Sequence, residues 1–410
     1  MTVGLRWYLA STAFFLVPGG IQMVLFPWLV AVHLQESPAR LGFAQMAGQL
    51  PMLVLILWGG LLGDRLDQRR LLVGLHLAMA IPPLILAWLV RIDFIFYEVL
   101  IAWAVVGGSF GAFAQPARDA LLNRVAGLDI QRVVTLAIGV QFGIQILGFG
   151  LGSTADSFGP VILFLTQSAC MVAAAIAMAR IPPLAPAAPR ERRHALREIG
   201  EGVAMAWQSA TIRPAVLQIA AVGVFFAGTY MVVLPLMVRD LYHGSAGGIA
   251  AAFAANMLGT CTVIFILMRL GGVERPGRAL VVWGFASAAV VSLLYFELPM
   301  WGFYLVIYLW GICGGISMTM SRSIVQEASP ESHRARLMSV YSLGMMGGMP
   351  FGSLFLGWFV GQFGTRNAIL VPVIGMTVVQ LVLLGTSRLW YVRRQLGEIS
   401  QASAPLHAAS

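Results

Sequence analysis

The chain has 410 residues, of which 59% are hydrophobic and only 10% charged, whereas a soluble globular protein carries about 25% charged residues. The net charge is +9, yet no soluble basic stretch is long enough to form a nucleic-acid-binding domain. This balance excludes an ordinary soluble enzyme or a nucleic-acid partner and predicts an all-α polytopic membrane protein embedded in a lipid bilayer.

Twelve apolar runs follow one another, each near the roughly 20 residues that a ~30 Å hydrocarbon core demands of a helix. They place spans at about 8–32, 40–62, 71–91, 94–114, 132–153, 159–180, 214–238, 246–268, 278–296, 299–320, 336–360 and 366–387, numbered 1 to 12. Span 1 exceeds the apolar core of a signal peptide and ends at no small-residue cleavage site, so it is expected to be retained.

Between spans 2 and 3, residues 60–70 crowd Gly60, Gly63, Asp64, Arg65, Arg69 and Arg70 into a short charged turn. An acid at the end of a helix can pair there with arginine or with the positive N-terminus of another helix. Glu98 lies about one turn inside span 4. Ionisable groups within spans are costly and functional by default, so Glu98 is the candidate for loading and unloading a coupling proton, unless the helix begins later and leaves it among headgroups. His76 in span 3 reads as interfacial, as hydrogen-bonded within the bundle, or as a proton relay.

Uncharged polar groups near span centres can line a cavity without the cost of a charge. Gln22, Gln49, Gln141, Gln145 and Asn256 meet that description, and Gln141 and Gln145 share a helical face. Phe225, Phe226 and Tyr230 in span 7, with Tyr304 and Tyr308 in span 10, can supply aromatic walls for a lipophilic ligand. Each of these residues also has a packing alternative, because amides bond between membrane helices.

Pro182, Pro183, Pro186 and Pro189, followed by Arg190, Arg192, Arg193 and Arg197, mark 181–213 as a linker. Its later part, Ala195 to Ser209, reads either as a short amphipathic helix on the inner membrane surface or as a solvated charge run. The chain thus divides into a six-helix bundle at 1–180, a second at 214–390 and a polar tail at 391–410. Gly148 and Gly152 frame Phe149-Gly150-Leu151, and 200 residues later Gly348 and Gly352 frame Met349-Pro350-Phe351. These glycines, with Pro350, read as close helix packing in two six-helix repeats.

All 26 basic residues are arginine. With the N-terminus in the cytoplasm, only Arg40, Arg91, Arg239 and Arg366 fall outside, as cationic loops require, and twelve spans return the C-terminus to the cytoplasm. His33, His76, His194, His243, His333 and His407 are scattered, Cys170, Cys261 and Cys313 are single, and Gly107-Gly108 and Gly314-Gly315 lack a preceding strand and a P-loop lysine. No metal, cofactor or enzymatic site is therefore expected.

The loop at 60–70 resembles the signature loop of the major facilitator superfamily, G-x-L-A-D-R-x-G-R-R, with Asp67 and Gln68 departing from it. Arg269 to Arg278 is a degenerate counterpart in the second half. The resemblance implies a major facilitator fold and alternating access. It implies that Asp64 holds the halves together on the inner side, with Arg118 as partner and the helix starting near Arg336 as docking surface; otherwise these charges only fix topology.

Phe113-Ala114-Gln115-Pro116-Ala117-Arg118, read as a turn after span 4, is similar to an F-x-x-P-A-R phrase of the enterobactin and macrolide exporters. Arg334 to Ser339, Gly347 to Ser353 and Phe26 to Val30 resemble the same branch, although Ala335 replaces a usual glycine. Phe149 and Ser153 depart from the G-P-x-x-G-G of drug antiporters, span 4 lacks their arginine from Ile101 to Gly111, and no acid follows Gly19-Gly20. The resemblance implies a monomeric, proton-coupled exporter of a lipophilic or amphipathic small molecule in a bacterial-type plasma membrane. The alternatives are a lysophospholipid or other lipid transporter and a non-transporting sensor or interaction protein.

Overall fold

A computed structural model of the chain describes residues 3–65, 67–125, 130–182, 195–270 and 273–392, by backbone alone at 57–65, 130–132, 134–136, 138 and 195–198. Among these residues there are twelve long helices and one short one: α1 (Val3–His33), α2 (Pro38–Arg65), α3 (Gln68–Arg91), α4 (Tyr97–Val125), α5 (Ile130–Gly152), α6 (Ala155–Ala179), α7 (Ala195–Gln208), α8 (Ile212–Asp240), α9 (Ala246–Arg269), α10 (Pro276–Tyr295), α11 (Met300–Ala328), α12 (Arg334–Phe363) and α13 (Asn367–Thr386). All but α5 and α7 carry an apolar stretch long enough to cross a bilayer within the described residues. In hydrocarbon a helix satisfies every backbone group internally, so apolar runs of this length fold as helices. The protein is a multi-pass membrane protein, and the tail at 393–410 and most of the proline-rich linker lie outside the described residues.

The repeat is visible in how the helices pack. A Cβ on Gly148 of α5 would lie 2.7 Å from Gly20 Cα of α1, and one on Gly348 of α12 would lie 2.6 Å from the Ala220 carbonyl of α8. The same pairing recurs between α2 and α4, where Gly108 faces the Gly48 carbonyl, and between α9 and α11, where Gly311 faces the Asn256 carbonyl. Small residues thus let equivalent helix pairs in the two halves meet backbone to backbone. Gly152 abuts Val24, Gly352 abuts the Val224 carbonyl, and Pro350 is buried within α12.

Two helices differ notably in extent from the sequence reading. Helix α4 begins at Tyr97 and runs to Val125, so the Phe113–Arg118 phrase is helical rather than a turn. Proline removes one backbone bond, a loss that a membrane helix tolerates, and Pro116 therefore does not end it. Helix α11 likewise continues to Ala328, well past the expected end near 320.

Candidate substrate cavity and gates

The end of the bundle where α1 starts is here termed proximal and the opposite end distal. The buried apolar residues form three clusters, and their membership separates the two ends. One cluster is shared by both halves and includes Leu25, Leu29, Leu41, Phe149 and Phe164 from the first with Phe226, Met237, Phe253, Phe303 and Leu356 from the second. The other two lie toward the proximal end. Tyr8, Leu72, Ala117 and Leu121 belong to the first half alone, and Ile219, Leu280, Ile324 and Leu337 to the second half alone. The halves are therefore fused distally and have separate cores proximally.

Polar contacts reinforce the distal closure. Gly159 of α6 has φ 74, a left-handed conformation that suits glycine, and the kink sets Asp156 on a turn ahead of the main helix. There the Asp156 carboxylate, exposed at the bundle end, reaches the N-terminus of α9 in the other half. It accepts from Ala246 N–H at 3.0 Å, from the Ser245 hydroxyl and from Trp28 Nε1–H at 3.0 Å. Trp28 Nε1 also lies 2.8 Å from Ser245 Oγ.

A second contact has the opposite polarity. Arg239 Nη1 of α8 donates to the carbonyls of Ala31 at 3.0 Å and Glu36 at 3.3 Å, at and just beyond the C-terminal end of α1. Asp240 pairs with Arg239 and accepts from Thr365 at 2.6 Å. A carboxylate on a helix N-terminus and a guanidinium at a helix C-terminus both follow the helix dipole. Gln35, Glu36, Arg239, Asp240 and His243 line an open vestibule of about 590 Å³ just outside. Nearby, burial pushes the Tyr242 phenol up from its ordinary value, partly offset by Arg366, and the hydroxyl donates to the Leu298 carbonyl at 3.0 Å.

Within the shared cluster a chain of rings crosses between the halves. Phe149 of α5 lies 5.9 Å from Phe253 of α9, which stacks on Tyr230 of α8 at 4.5 Å. Trp310 of α11 then meets Tyr230 at 6.4 Å and Phe226 at 5.5 Å. Phe226 lies in the π-helical segment Val222–Ala227 and Tyr230 in Thr229–Val233, while α1 carries its own π segment at Trp28–His33. Such wide turns recur at functional sites and here occupy equivalent helices of the two halves.

The other candidate cavity residues are dispersed. Gln145 Nε2 approaches Met23 Sδ at 2.9 Å, Gln141 is exposed, and Gln49 Oε1 is buried without a partner among the described residues. Gln22 lines a pocket of about 40 Å³ inside the first half with Trp103 and Gln167. Asn256 donates to the Ile307 carbonyl at 3.4 Å and Tyr308 to Thr262 at 3.1 Å, both between α9 and α11, while Tyr304 packs on Phe303.

The chain matches the family described as transmembrane secretion effector over residues 7–404. It belongs to that family of the major facilitator superfamily. No functionally curated protein matches it in sequence. Among solved structures it is similar to the nucleoside transporter NupG at 13% identity, covering 94% of this chain and 99% of that one with a TM-score of 0.73. A bacterial homologue of the human lysosomal transporter Spinster, in an inward-facing and unoccupied conformation, matches at 12% identity, 95% and 97% coverage and TM-score 0.73. An auto-inhibited POT family peptide transporter matches at 13% identity, 97% and 98% coverage and TM-score 0.70. At these identities the likeness shows the fold alone, and the family and these neighbours are transporters, not enzymes.

The transporter's signature loop is described only in part. Gly60 and Gly63 fall where side-chain surroundings are not described, and the side chains of Asp64 and Arg65 likewise lie outside the described residues. Asp67, one of the two departures from the signature, caps α3 by accepting from the backbone N–H of Arg69 at 2.9 Å and of Arg70 at 3.3 Å. Arg69 donates to the Ala179 carbonyl at the end of α6, and the Arg70 side chain is exposed. Arg118 is buried in α4, its guanidinium 4.3 Å above the Phe15 ring. Arg336 pairs with Glu201 of α7 at 3.1 Å.

Glu98 is exposed in the first turn of α4, at the distal end and not enclosed within the span, because the helix starts three residues later than expected. The distal contacts of Asp156, Trp28, Ser245 and Arg239 were not assigned from sequence. Asp156 beside a glycine-proline break was their one visible signal. Among the described residues no group of metal-ligating side chains gathers.

Proposed function

We propose that this transporter carries a lipophilic or amphipathic small molecule outward across the plasma membrane by alternating access, driven by proton entry. Arginine placement supports cytoplasmic termini, and on that reading the distal end is the outer one and the conformation is closed to the outside. The division at 181–213 separates two units that rock about the aromatic chain through Phe226, Tyr230 and Trp310, and the transporter works as a monomer. The observation that carries this reading is one apolar cluster shared by the halves at one end against two separate clusters at the other. Rings gathered at the meeting of the halves favour an apolar ligand.

Reconstituted vesicles with an imposed pH gradient test the proposal. Lipophilic cations, macrolides, nucleosides and a lysophospholipid are offered one at a time and their accumulation is followed. Accumulation of lipophilic compounds that collapses when the gradient is dissipated is the expected result. Accumulation unaffected by the gradient would remove proton coupling, and movement of lysophospholipid alone would replace the substrate class.

A further inference from the structure

The proximal core of the first half holds an arrangement that neither packing nor the distal gate uses. His76 of α3 is 0% exposed; its ring approaches the Ala174 carbonyl of α6 without a well-formed hydrogen bond, and its other nitrogen has no partner among the described residues. Its ring lies 5.3 Å from that of Phe15, whose face carries the Arg118 guanidinium at 4.3 Å. Arg118 is itself 7% exposed, and its Nε has no partner among the described residues.

The surroundings offer little to neutralise a second charge. Helix α4 contributes Arg118; α1 contributes Phe15 and Thr12, with Tyr8 donating to the Arg118 carbonyl at 3.1 Å. Helix α6 contributes the Ala174 carbonyl, which already accepts from Ser11 Oγ at 2.8 Å. Asp119, the next residue on α4, is exposed and is held by Gln115 at 3.2 Å.

Buried polar atoms are nearly always paired, and each orphan costs about 1–3 kcal/mol. A neutral imidazole whose acceptor nitrogen is idle and whose donor has only a carbonyl already engaged by Ser11 is therefore a group kept for another state. A fully enclosed ring is closed to any ligand larger than a proton, and histidine is the side chain suited to bind one near neutral pH. We propose that His76 is the proton-binding residue of this transporter, with Arg118 as the positioning charge that makes proton binding depend on conformation.

The proton adds to a free lone pair on the imidazole, which turns both nitrogens into donors. In the conformation closed distally that places two cations around Phe15, with no carboxylate nearer than the exposed Asp119, which Gln115 holds. A conformation in which α3 shifts against α4 and α6, so that the Asp119 carboxylate or a freed carbonyl approaches, accepts the proton more readily. A ligand that prefers one conformer shifts the population toward it. This inference rests on the proton-coupled reading above, and it moves the coupling role from Glu98 to His76.

The test uses the full-length transporter in lipid nanodiscs, with alanine at Cys170, Cys261 and Cys313 and spin labels at Asp93→Cys and Asn367→Cys on the distal ends of the two halves. Their distance is measured from pH 5 to pH 8.5. The expected result is a pH-dependent distal distance that becomes flat in His76→Gln and persists in Glu98→Gln. Arg118→Gln, which removes the neighbouring positive charge, should displace the midpoint to higher pH, a change that a purely structural role would not produce. Histidine-labelled NMR of the same samples follows protonation directly, with the His76 signal assigned by its loss in His76→Gln, so a destabilised variant does not decide the matter. A pH response that survives in His76→Gln, or a His76 ring that gains no proton across the range, overturns the proposal. Gradient-driven accumulation in the wild type, measured separately, tells whether proton coupling falls with it.

Discussion

The two ends of this bundle are built from the same kinds of helix yet are held by different forces. Distally, the halves share one apolar cluster, meet backbone to backbone at Gly42 and Gly357, and exchange hydrogen bonds through Asp156 and Arg239. Proximally, each half closes on its own core, and the charged groups act within a half or toward the linker: Arg69 on the end of α6, Arg336 on α7. The distal contact must therefore be reversible if the protein is to open, and a reversible contact is better built from a few polar bonds around a small-residue seam than from deep interdigitation. The proximal cores, in contrast, each lie within one half, so the halves can part there without breaking them.

The seam itself offers the largest perturbation. A Cβ on Gly42 would lie 2.5 Å from the Ser353 carbonyl and 2.8 Å from Gly357 Cα, and both obstacles are backbone. Gly42→Leu should cost the closed form about 1–3 kcal/mol, as overpacking usually does, and lengthen the distal label distance. Gly361→Leu is the control, since nothing lies within 4 Å of that position, and it should leave the distance unchanged. Equal behaviour of the two variants would mean that the halves do not part at this seam.

Arg239 comes next because its side chain is only 20% exposed. In Arg239→Gln two carbonyls of the first half lose their donor and Asp240 loses its cation. A loss of about 1–2 kcal/mol is expected, read as a shift of the distal distance distribution toward longer values. Glu36→Gln should do little, because Arg239 contacts the Glu36 carbonyl and not its carboxylate.

Much of this architecture was legible from the chain. A hydrocarbon core permits only long apolar helices, so the twelve spans could be counted, and the glycine phrases at 148–152 and 348–352 disclosed the repeat because close packing requires small residues at helical spacing. Local chemistry misled in two places. The Phe113–Arg118 phrase reads as a turn, yet the one backbone bond that Pro116 removes does not end a membrane helix, and Glu98 reads as enclosed only when α4 is started too early. The distal gate could not be read at all. Trp28, Asp156 and Ser245 are 128 to 217 residues apart in pairs involving Trp28, and no local pattern announces that a carboxylate will cap a helix of the other half. His76 was visible as an oddity, but its poorly paired state depends on Phe15, Arg118 and Ala174 arriving from three other helices.

Asp156 should have a smaller effect than Arg239, because the carboxylate is exposed and water replaces part of what is lost. Asp156→Asn keeps an acceptor but removes the charge that favours the α9 N-terminus, an expected cost of about 1 kcal/mol. Hydrogen exchange at the Ala246 amide should quicken, since that donor is held by Asp156 at 3.0 Å. An unchanged exchange rate would show that α9 is capped by other means and that the closure is carried by apolar contact alone.

The proximal pair between Arg336 and Glu201 supplies the smallest effect and the sharpest contrast. The side chains are 20% and 43% exposed, so the bond itself contributes at most about 1 kcal/mol and should fade with added salt. It joins α7 to α12, both on the second half's side of the linker, where Gly202 also packs on Val340. Glu201→Gln should therefore lower the midpoint of thermal unfolding slightly and leave the distal label distance where it was. A change in that distance would mean that the linker helix takes part in setting the conformation, and the division of labour between a gating distal end and proximal cores confined to one half would have to be redrawn to include α7.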